Sequence, residues 1–465
     1  MRRTRLIATL GPASDSPAAL DALIAAGLDI ARINTSHAAP ETLGIQLAAV
    51  RAAAARAGRE VAVMLDLGGG KLRLGSVDEG TVLEAGQTFE LRAVEGPGDA
   101  HGASVNHPGL ARDLAEGNLL LVDDGRIELE VTTVETATVR TVVRTGGPLS
   151  SRKGINVPGV RLGVDGVTTR DLEILEWAIG AGVDLVAQSF VRSADDVHRL
   201  RDAMGERRVP IVAKIEKHEA VDDLDAIVEA ADAVMVARGD LGVEIPVESV
   251  PVVQRRIVAA ARAAGVPVIV ATQMLESMTE ARRPTRAEAS DVANAIFDAV
   301  DAVMLSGETA IGRHPAHVLA TMDRIVRAAE DAAVEHPWSP RPSAPDDVAA
   351  AVSRAACDLA DGLDLAAIVT ATQSGATARS VAAHRPKTAI VAATPDPATA
   401  RRLMLVWGVR PVVVGTYETI DEMIAAACAA ARDSGTARPG DLVAVTGGVA
   451  VNVAGSTNFV QVNRV

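Results

Sequence analysis

Short apolar stretches rich in β-branched residues recur along the chain and are separated by Ala-rich segments with helical periodicity. Eight such stretches lie near residues 5–9, 29–34, 61–66, 184–189, 210–215, 232–237, 267–272 and 302–306. Alternation of this kind is typical of βα units that share a parallel sheet. Eight units predict a closed (β/α)8 barrel of the α/β class, with a doubly wound open sheet as the alternative.

The residues that follow these stretches favour the barrel. Polar and ionisable side chains come after almost every one: Arg32, Asn34, Asp66, Ser189, Lys214, Glu216, Arg238, Asp240, Thr272, Ser306 and Glu308. A barrel active site is built from residues at the carboxyl ends of its strands. A doubly wound dinucleotide-binding fold needs a glycine-rich fingerprint after its first strand, and Gly11-Pro12-Ala13-Ser14 lacks it.

Two further domains are predicted around the barrel. The stretch between the third and fourth runs alternates as β-strands do, and Asp124-Gly125 is a hairpin signal within it. We predict a small β lid, inserted at the mouth of the barrel. The proline-rich segment 336–345 predicts a linker, beyond which helices and strands alternate again. The predicted boundaries are 1–74 with 166–335 for the barrel, 75–165 for the lid, and 346–465 for a C-terminal α/β domain.

Composition and charge exclude several classes of function. The 465 residues are 48% hydrophobic but only 2% aromatic, and the formal net charge is -14. Few aromatics and no basic run argue against binding to nucleic acid or to anionic membranes. Cys357 and Cys428 are far apart, so we expect no disulfide framework and a reducing, cytoplasmic compartment. The apolar run 6–10 is too short for a secretory signal, and no stretch reaches the length of a membrane span.

A cation site is predicted where two adjacent strands end. Lys214 and Glu216 are two residues apart, so their side chains face the same side of a strand end. A surface ion pair would explain this pair equally well. Asp240 follows the next strand, and two carboxylates from adjacent strand ends suit a hard cation such as Mg²⁺. Gly239 allows the backbone to approach a ligand closely.

Further polar residues complete a candidate pocket for an anionic substrate. Arg32 can bind phosphate, while Asn34 and Ser36 present oxygens on one side, with an ordinary polar turn as the alternative. Thr272 offers a hydroxyl at the end of the seventh strand. A cation, a lysine, an arginine and a hydroxyl together suit phosphoryl transfer, in which negative charge spreads over the transferred group. A metal-stabilised enolate needs a similar set, so the pocket leaves two chemistries open.

Several segments, in order, resemble those of the pyruvate kinase family, in its bacterial form. They are Ala8–Ala13, Arg32–His37, Val122–Gly125, Ser151–Gly159, Gln188–Arg192, Ala213–Glu216, Val236–Gly242, Ala271–Met278, Pro284–Glu288, Met304–Thr309 and Gly455–Asn458. The resemblance spans essentially the whole chain. It implies transfer of the phosphoryl group of phosphoenolpyruvate to ADP, giving pyruvate and ATP, the last step of glycolysis, by an enzyme that is usually a homotetramer.

The resemblance also implies roles for individual residues. Lys214 would stabilise the phosphoryl group during transfer, and Glu216 and Asp240 would hold Mg²⁺, for which Mn²⁺ can substitute. The implied contacts of phosphoenolpyruvate are Arg32, Gly239, Asp240 and Thr272, the last where the enol carbon is protonated. The implied nucleotide side comprises Asn34, His37, Arg73 and Lys153. The implied monovalent cation site comprises Asn34, Ser36, Asp66 and the carbonyl of Leu67.

Two departures from the family pattern lie near the nucleotide. Gly68-Gly69-Gly70-Lys71 stands where relatives usually carry Lys-Gly-Pro followed by Lys or Glu, so we expect a more flexible loop with one basic side chain fewer. Relatives that need K⁺ usually carry Glu where Lys71 stands. We predict that the Lys71 ammonium takes the place of K⁺, with an ordinary solvent-exposed lysine as the alternative. Ile311 replaces a common lysine.

A third departure concerns regulation. Gln373 stands where relatives that bind sugar bisphosphates often place Lys. We predict that a phosphorylated metabolite with a single phosphate, such as AMP or a hexose monophosphate, binds the loop at Thr372, Ser374, Gly375 and Thr377. An ordinary capped helix start is the alternative.

Two other functions compete with phosphoryl transfer. An Mg²⁺-dependent enolate lyase or aldolase would explain Glu216 and Asp240, but not the segment Ser151–Gly154 or the C-terminal domain. A weakly active paralogue that senses a metabolite would fit the lost basic residues. The retained Lys214 and Thr272, with the two carboxylates, argue against that second alternative.

Overall fold

The computed structural model describes residues 2–36, 39–333, 347–449 and 457–465. His37 and the predicted linker at 336–345 lie outside these residues. The first part of the barrel comprises β1 (Arg5–Thr9), α1 (Pro17–Ala25), β2 (Ile30–Asn34), α2 (Pro40–Ala57) and β3 (Ala62–Leu67). Every residue of β1 and β3 is buried, as barrel strands covered on both faces require.

A β lid follows the third barrel strand. Its elements are β4 (Val82–Leu83), β5 (Thr88–Arg92), β6 (Gly102–Ser104), α3 (Leu110–Asp113), β7 (Leu119–Val122), β8 (Ile127–Val134), β9 (Thr138–Thr145), β10 (Gly147–Pro148) and β11 (Ile155–Asn156). Six strands form a sheet in the order β11-β7-β8-β9-β5-β6, and β4 pairs with β10. The β7–β8 turn holds Asp124 and Gly125 at positive φ, which confirms the predicted hairpin. The exact boundaries of this domain stay predictions.

The chain then returns to the barrel and closes it. The elements are α4 (Thr169–Ala181), β12 (Leu185–Gln188), α5 (Ala194–Ala203), β13 (Ile211–Ile215), α6 (His218–Asp222), α7 (Leu224–Ala230), β14 (Ala233–Ala237), α8 (Arg238–Glu244), α9 (Val250–Ala264), β15 (Val268–Ala271), α10 (Arg286–Phe297), β16 (Ala302–Leu305), α11 (Gly307–Ala310) and α12 (Pro315–Ala333). The closed order β1-β16-β15-β14-β13-β12-β3-β2 confirms the predicted barrel. Buried Met64, Met235 and Met304 help to fill its interior. The carboxyl ends of all eight strands therefore surround one mouth.

Side-chain caps set the start of two barrel helices. The Thr168 hydroxyl accepts a hydrogen bond from the Asp171 backbone N–H, and the Asp171 carboxylate accepts one from the Thr168 backbone N–H. Thr285 and Glu288 form the same capping box at α10. Reciprocal caps of this kind satisfy backbone N–H groups that have no partner within the helix. The segment Pro284–Glu288, one of those that resemble the family, therefore has a structural role, because it caps the start of α10.

The C-terminal domain is a separate α/β layer structure. Its elements are α13 (Val348–Gly362), β17 (Ala367–Ala371), α14 (Ala376–Ala383), β18 (Ala389–Thr394), α15 (Pro397–Arg402), β19 (Val409–Val413), α16 (Ile420–Asp433), β20 (Leu442–Gly448) and β21 (Thr457–Arg464). The sheet order is β19-β18-β17-β20-β21, parallel except that β21 runs antiparallel to β20. In the described parts of the chain, no helix combines the length and apolar character needed to cross a bilayer.

Candidate active site at the barrel mouth

The Lys214 side chain lies at the centre of a buried polar cluster. Lys214 is the penultimate residue of β13 and is only 8% exposed. Its Nζ donates to Ser189 Oγ at 2.7 Å and lies 2.9 Å from Glu216 Oε1 and 3.2 Å from Asp66 Oδ1. These residues meet because β3, β12 and β13 are neighbours in the barrel. The barrel thus brings Lys214, Glu216 and Asp66 together, although the sequence assigned Asp66 to a separate monovalent cation site.

Asp66 is a charged carboxylate in spite of its burial. Burial disfavours the charged form, but the charges of Lys214 and Arg32 outweigh it and lower the pKa of Asp66. Arg32 Nε lies 2.7 Å from Asp66 Oδ2, and Arg32 also donates to Thr9 Oγ1 at 2.9 Å. Burial disfavours the Lys214 ammonium as well, yet Asp66 and Glu216 outweigh this effect and raise the pKa of Lys214. The pocket therefore holds two cations fixed by buried anions.

The carboxylates of Glu216 and Asp240 fit a divalent cation. Burial raises the pKa of Glu216; Lys214 opposes this shift, and the nearby Asp240 charge adds to it. Glu216 Oε2 accepts a hydrogen bond from the Phe190 backbone N–H at 2.9 Å. A hard cation bound by both carboxylates would remove their mutual repulsion, and oxygen ligands are those that Mg²⁺ prefers. The donor set therefore suits the predicted metal.

Lys71 contacts a different partner from the one expected. Its Nζ lies 2.6 Å from Asp240 Oδ1 and 5.6 Å from the centre of the Phe190 ring, and its side chain is 17% exposed. We expected this ammonium among the oxygens of the predicted monovalent cation site. Asp66, the only charged member of that set, already pairs with Arg32 and Lys214. Lys71 pairs with the Asp240 carboxylate instead.

The glycine loop before Lys71 is closely packed. A Cβ on Gly70 would clash with the Asp165 carbonyl oxygen and lie 2.6 Å from Val164 Cγ1. Gly69 has φ +63°, and a Cβ there would come within 3.0 Å of the Phe190 ring. The expected flexibility of this loop stays a prediction. Its glycines permit a close approach between the end of the lid and the mouth of the barrel.

Thr272 has a backbone conformation that is rare for a β-branched residue. Its φ is +68°, which costs free energy and needs support from the surroundings. Arg238 donates to the Thr272 carbonyl at 2.7 Å, and Thr272 Oγ1 accepts from Gly239 N–H at 2.8 Å. The hydroxyl also donates to the Ala271 carbonyl at 2.6 Å. These contacts fix the Thr272 hydroxyl beside Gly239, as a positioned group at the mouth.

The candidate nucleotide residues lie at the rim and in the lid. Arg73 Nη1 donates to the Arg152 carbonyl at 3.2 Å, and Lys153 Nζ lies 2.7 Å from Asp123 Oδ1. Asn34 is exposed, and its Oδ1 accepts from the Ser36 backbone at 3.0 Å. These residues do not join the buried Lys214 cluster. They form an outer, solvent-accessible set, and their predicted partner His37 is not among the described residues.

The barrel and the C-terminal domain both match models of one protein family. A family model described as "Pyruvate kinase, barrel domain" matches residues 1–319, and one described as "Pyruvate kinase, alpha/beta domain" matches residues 350–463. The chain belongs to the pyruvate kinase family. It is 44% identical to a pyruvate kinase of Geobacillus stearothermophilus over 471 residues, covering 99% of this chain and 80% of the relative. It is 43% identical to that of Mycobacterium intracellulare, covering 100% and 98%.

The fold is also similar to that of a solved family member. A crystal structure of a pyruvate kinase from Cryptosporidium parvum superposes with a TM-score of 0.91 at 32% identity, covering 100% of this chain and 96% of that one. The resemblance inferred from short segments therefore extends to the whole family architecture. Barrel, lid and C-terminal domain occur here as the family predicts.

The sequence did not predict three groups of the pocket that bind the candidate site residues. The Ser189 hydroxyl accepts from Lys214 and donates to Asp66 at 3.1 Å. The Phe190 backbone N–H binds Glu216, and Thr9 binds Arg32. Ser189 and Thr9 carried a usable signal, because each lies at or next to the carboxyl end of a barrel strand. The N–H of Phe190 carried none, because a backbone donor depends on local geometry, here a φ of +55°.

The predicted effector loop lies between β17 and α14. Gly375 has φ +80° at the start of α14, and its N–H donates to Thr372 Oγ1 at 2.9 Å. The Thr377 hydroxyl lies 2.6 Å from the Thr457 hydroxyl. Ser374 is exposed at the tip of the loop. Two of the three predicted hydroxyls thus have protein partners, and that of Ser374 faces solvent.

Proposed function

We propose that this chain transfers the phosphoryl group of phosphoenolpyruvate to ADP at the barrel mouth. The bond between phosphorus and the enol oxygen breaks, and a bond forms between phosphorus and a terminal phosphate oxygen of ADP. The buried Lys214 ammonium, held by Asp66, Ser189 and Glu216, is the observation that supports this most strongly. Positive charge fixed in advance beside Arg32 stabilises the charge that spreads over the phosphoryl oxygens.

Glu216 and Asp240 hold the Mg²⁺ ion in this proposal, and Mn²⁺ is able to replace it because both prefer oxygen ligands. When bound, the ion supplies further positive charge to the phosphoryl oxygens. Phe190 N–H orients Glu216, and Lys71 orients Asp240. These two contacts keep the carboxylates in place before the ion binds.

Thr272 and Gly239 act on the pyruvate side in this proposal. After transfer, the enolate of pyruvate takes a proton at its terminal carbon, and the Thr272 hydroxyl positions this proton directly or through water. The Gly239 N–H, next to Asp240, lies near the carboxylate end of the substrate. The nucleotide side comprises Asn34, His37, Arg73 and Lys153, with Asn34, Ser36, Asp66 and Leu67 surrounding any monovalent cation.

The assembly is proposed to be a homotetramer, as is usual in the family. Val247, just before α9, and Val252, in its first turn, are 74% and 70% exposed, and such apolar side chains are available for contacts between subunits. Light scattering at micromolar concentration measures the assembly. A monomer would contradict the proposal.

A steady-state assay tests the proposed reaction. Pyruvate formation from phosphoenolpyruvate, ADP and Mg²⁺ is measured with and without each component. We expect a rate that requires all three. Aldol cleavage without ADP, or binding of the substrates without pyruvate formation, would contradict the proposal.

Glu216→Gln tests the metal site. We expect the Mg²⁺ concentration for half-maximal activity to rise about tenfold or more, because a charged ligand of a hard cation is lost. Binding of Mn²⁺ to the protein without substrates, followed by electron paramagnetic resonance, should weaken in parallel. Glu248→Gln changes an exposed glutamate and serves as the control. A Mg²⁺ titration like that of the control would exclude Glu216 as a ligand.

The effector loop gives a prediction about regulation. We expect AMP or a hexose monophosphate to lower the phosphoenolpyruvate concentration at half-saturation, because the N–H groups at the start of α14 attract one phosphate. Ser374→Asp should abolish the shift through charge repulsion. If neither compound shifts the curve and Ser374→Asp changes nothing, the loop is an ordinary helix start.

A further inference from the structure

Glu244 is a buried carboxylate that joins three segments of the chain. It is 3% exposed and closes α8. Its Oε1 accepts from Asn156 Nδ2 at 2.8 Å and lies 2.6 Å from Lys217 Nζ, while its Oε2 lies 3.4 Å from His218 Nδ1. Asn156 belongs to the lid strand β11, and Lys217 follows β13. A buried carboxylate with a charged donor and an amide donor is held firmly in one position.

Each of these three segments carries part of the candidate active site. The lid strand that contains Asn156 comes directly after Lys153 and Gly154. Lys217 is the residue next to Glu216, and α8 carries Asp240 in its first turn. The Glu244 carboxylate therefore connects the lid to both proposed Mg²⁺ ligands: it pairs with Lys217, the neighbour of Glu216, and it lies on α8, which also carries Asp240.

Asn156 depends on Glu244 for its orientation. The residue is buried, and its Oδ1 accepts no hydrogen bond within the described chain. An amide buried with unused bonding capacity costs free energy, so an apolar residue would fill the same space at lower cost. The hydrogen bond to Glu244 is the contact that offsets this cost. It is specific in direction, because an amide donates and a carboxylate accepts.

We propose that Asn156 and Glu244 form a latch that sets the position of β11 over the barrel mouth. Glu244 is a positioning residue, since it acts through Asn156 on the lid. Lys153 and Arg73 then reach the nucleotide only when the latch is closed: Lys153 precedes β11 in the chain, and the backbone of Arg73 pairs with Gly154. This last step rests on the proposed function.

Asn156→Asp tests the latch with almost no change in shape. It replaces the donor with a carboxylate 2.8 Å from that of Glu244, so the two groups repel. We expect faster amide hydrogen exchange in β11 and a KM for ADP raised about tenfold or more, with a much smaller change in the KM for phosphoenolpyruvate.

A matched control and a rescue complete the design. Asn118→Asp makes the same change in another part of the lid, where Asn118 Oδ1 accepts from the Ala115 N–H, a role that a carboxylate keeps. It should leave β11 and the KM for ADP unchanged. In the double variant Asn156→Asp with Glu244→Gln, the donor and the acceptor are swapped, so the hydrogen bond is restored. We expect amide hydrogen exchange in β11 to become slow again and the KM for ADP to fall again.

Three results would overturn the proposal. The first is hydrogen exchange in β11 of Asn156→Asp that matches the control. The second is a double variant no better than the single variant. The third is a loosened β11 with an unchanged KM for ADP. If the unmodified enzyme itself forms no pyruvate, the proposed function fails, while hydrogen exchange still decides whether the latch exists.

Discussion

Replacing Lys214 with Met is expected to lower kcat by about 100-fold or more. The Lys214 ammonium is fixed within 3.2 Å of Asp66 and Glu216, so it meets the transferred group without rearrangement. A charge positioned in this way acts mainly on the transition state, and its loss typically costs on the order of 3 kcal/mol. The KM for phosphoenolpyruvate should change far less than kcat. Steady-state kinetics at saturating Mg²⁺ measure both.

The control for this variant must separate catalysis from folding. Lys214→Met leaves Asp66 and Glu216 as neighbouring buried carboxylates, which destabilises the fold as well. Thermal unfolding and circular dichroism therefore accompany the kinetics, and only a folded variant is interpreted. Lys387→Met makes the same change at an exposed position of the C-terminal domain. A folded Lys214→Met with kcat near that of Lys387→Met would exclude Lys214 from the phosphoryl-transfer step.

The barrel was predictable because its signal is local and repeated. Continuous apolar runs occur eight times, almost all of them followed by polar residues, and the observed strand ends lie within a residue or two of those expected. Lys214 and Glu216 were found for the same reason, since their placement depends only on strand direction. By contrast, the signal for β21 is weak, because Asn458, Gln461 and Asn463 interrupt its apolar pattern. An antiparallel edge strand needs only one apolar face, so its signal is weaker.

The sequence predicts which residues form the site better than it predicts which of them pair with one another. Lys71 was expected beside Asp66, but Arg32 on the adjacent strand β2 and Lys214 on β13, two strands away, occupy that carboxylate. A sequence shows which charges are present, whereas the pairing depends on their arrangement in space. The same holds for Gly70, whose close approach to Asp165 joins residues from the two ends of the lid insertion.

Catalysis is expected to need Mg²⁺ but little or no K⁺. Relatives that require K⁺ usually carry Glu at the position of Lys71, and here the Lys71 ammonium is fixed on Asp240 at the mouth, only 17% exposed. In the structure this ammonium lies beside Asp240 and not among the oxygens around Asp66, so the prediction requires it to repel K⁺ from the mouth. Two monovalent cations about 4 Å apart repel each other by about 4 kcal/mol at an effective dielectric constant near 20. Activity in tetramethylammonium buffer, free of Na⁺ and titrated with K⁺, measures the dependence.

Lys71→Glu should create a K⁺ requirement, because it removes the tethered cation and adds a carboxylate beside Asp240. Lys71→Gln separates these two effects: it removes the charge alone, so we expect lower activity with a weaker response to K⁺. The Mg²⁺ requirement of Lys71→Glu should also change, since the new carboxylate lies next to a proposed ligand of the ion. A many-fold activation of the unmodified enzyme by K⁺ would show that Lys71 does not replace the ion. In that case the Lys71 ammonium only neutralises the Asp240 carboxylate. K⁺ then binds to the oxygens around Asp66, as the family resemblance implies.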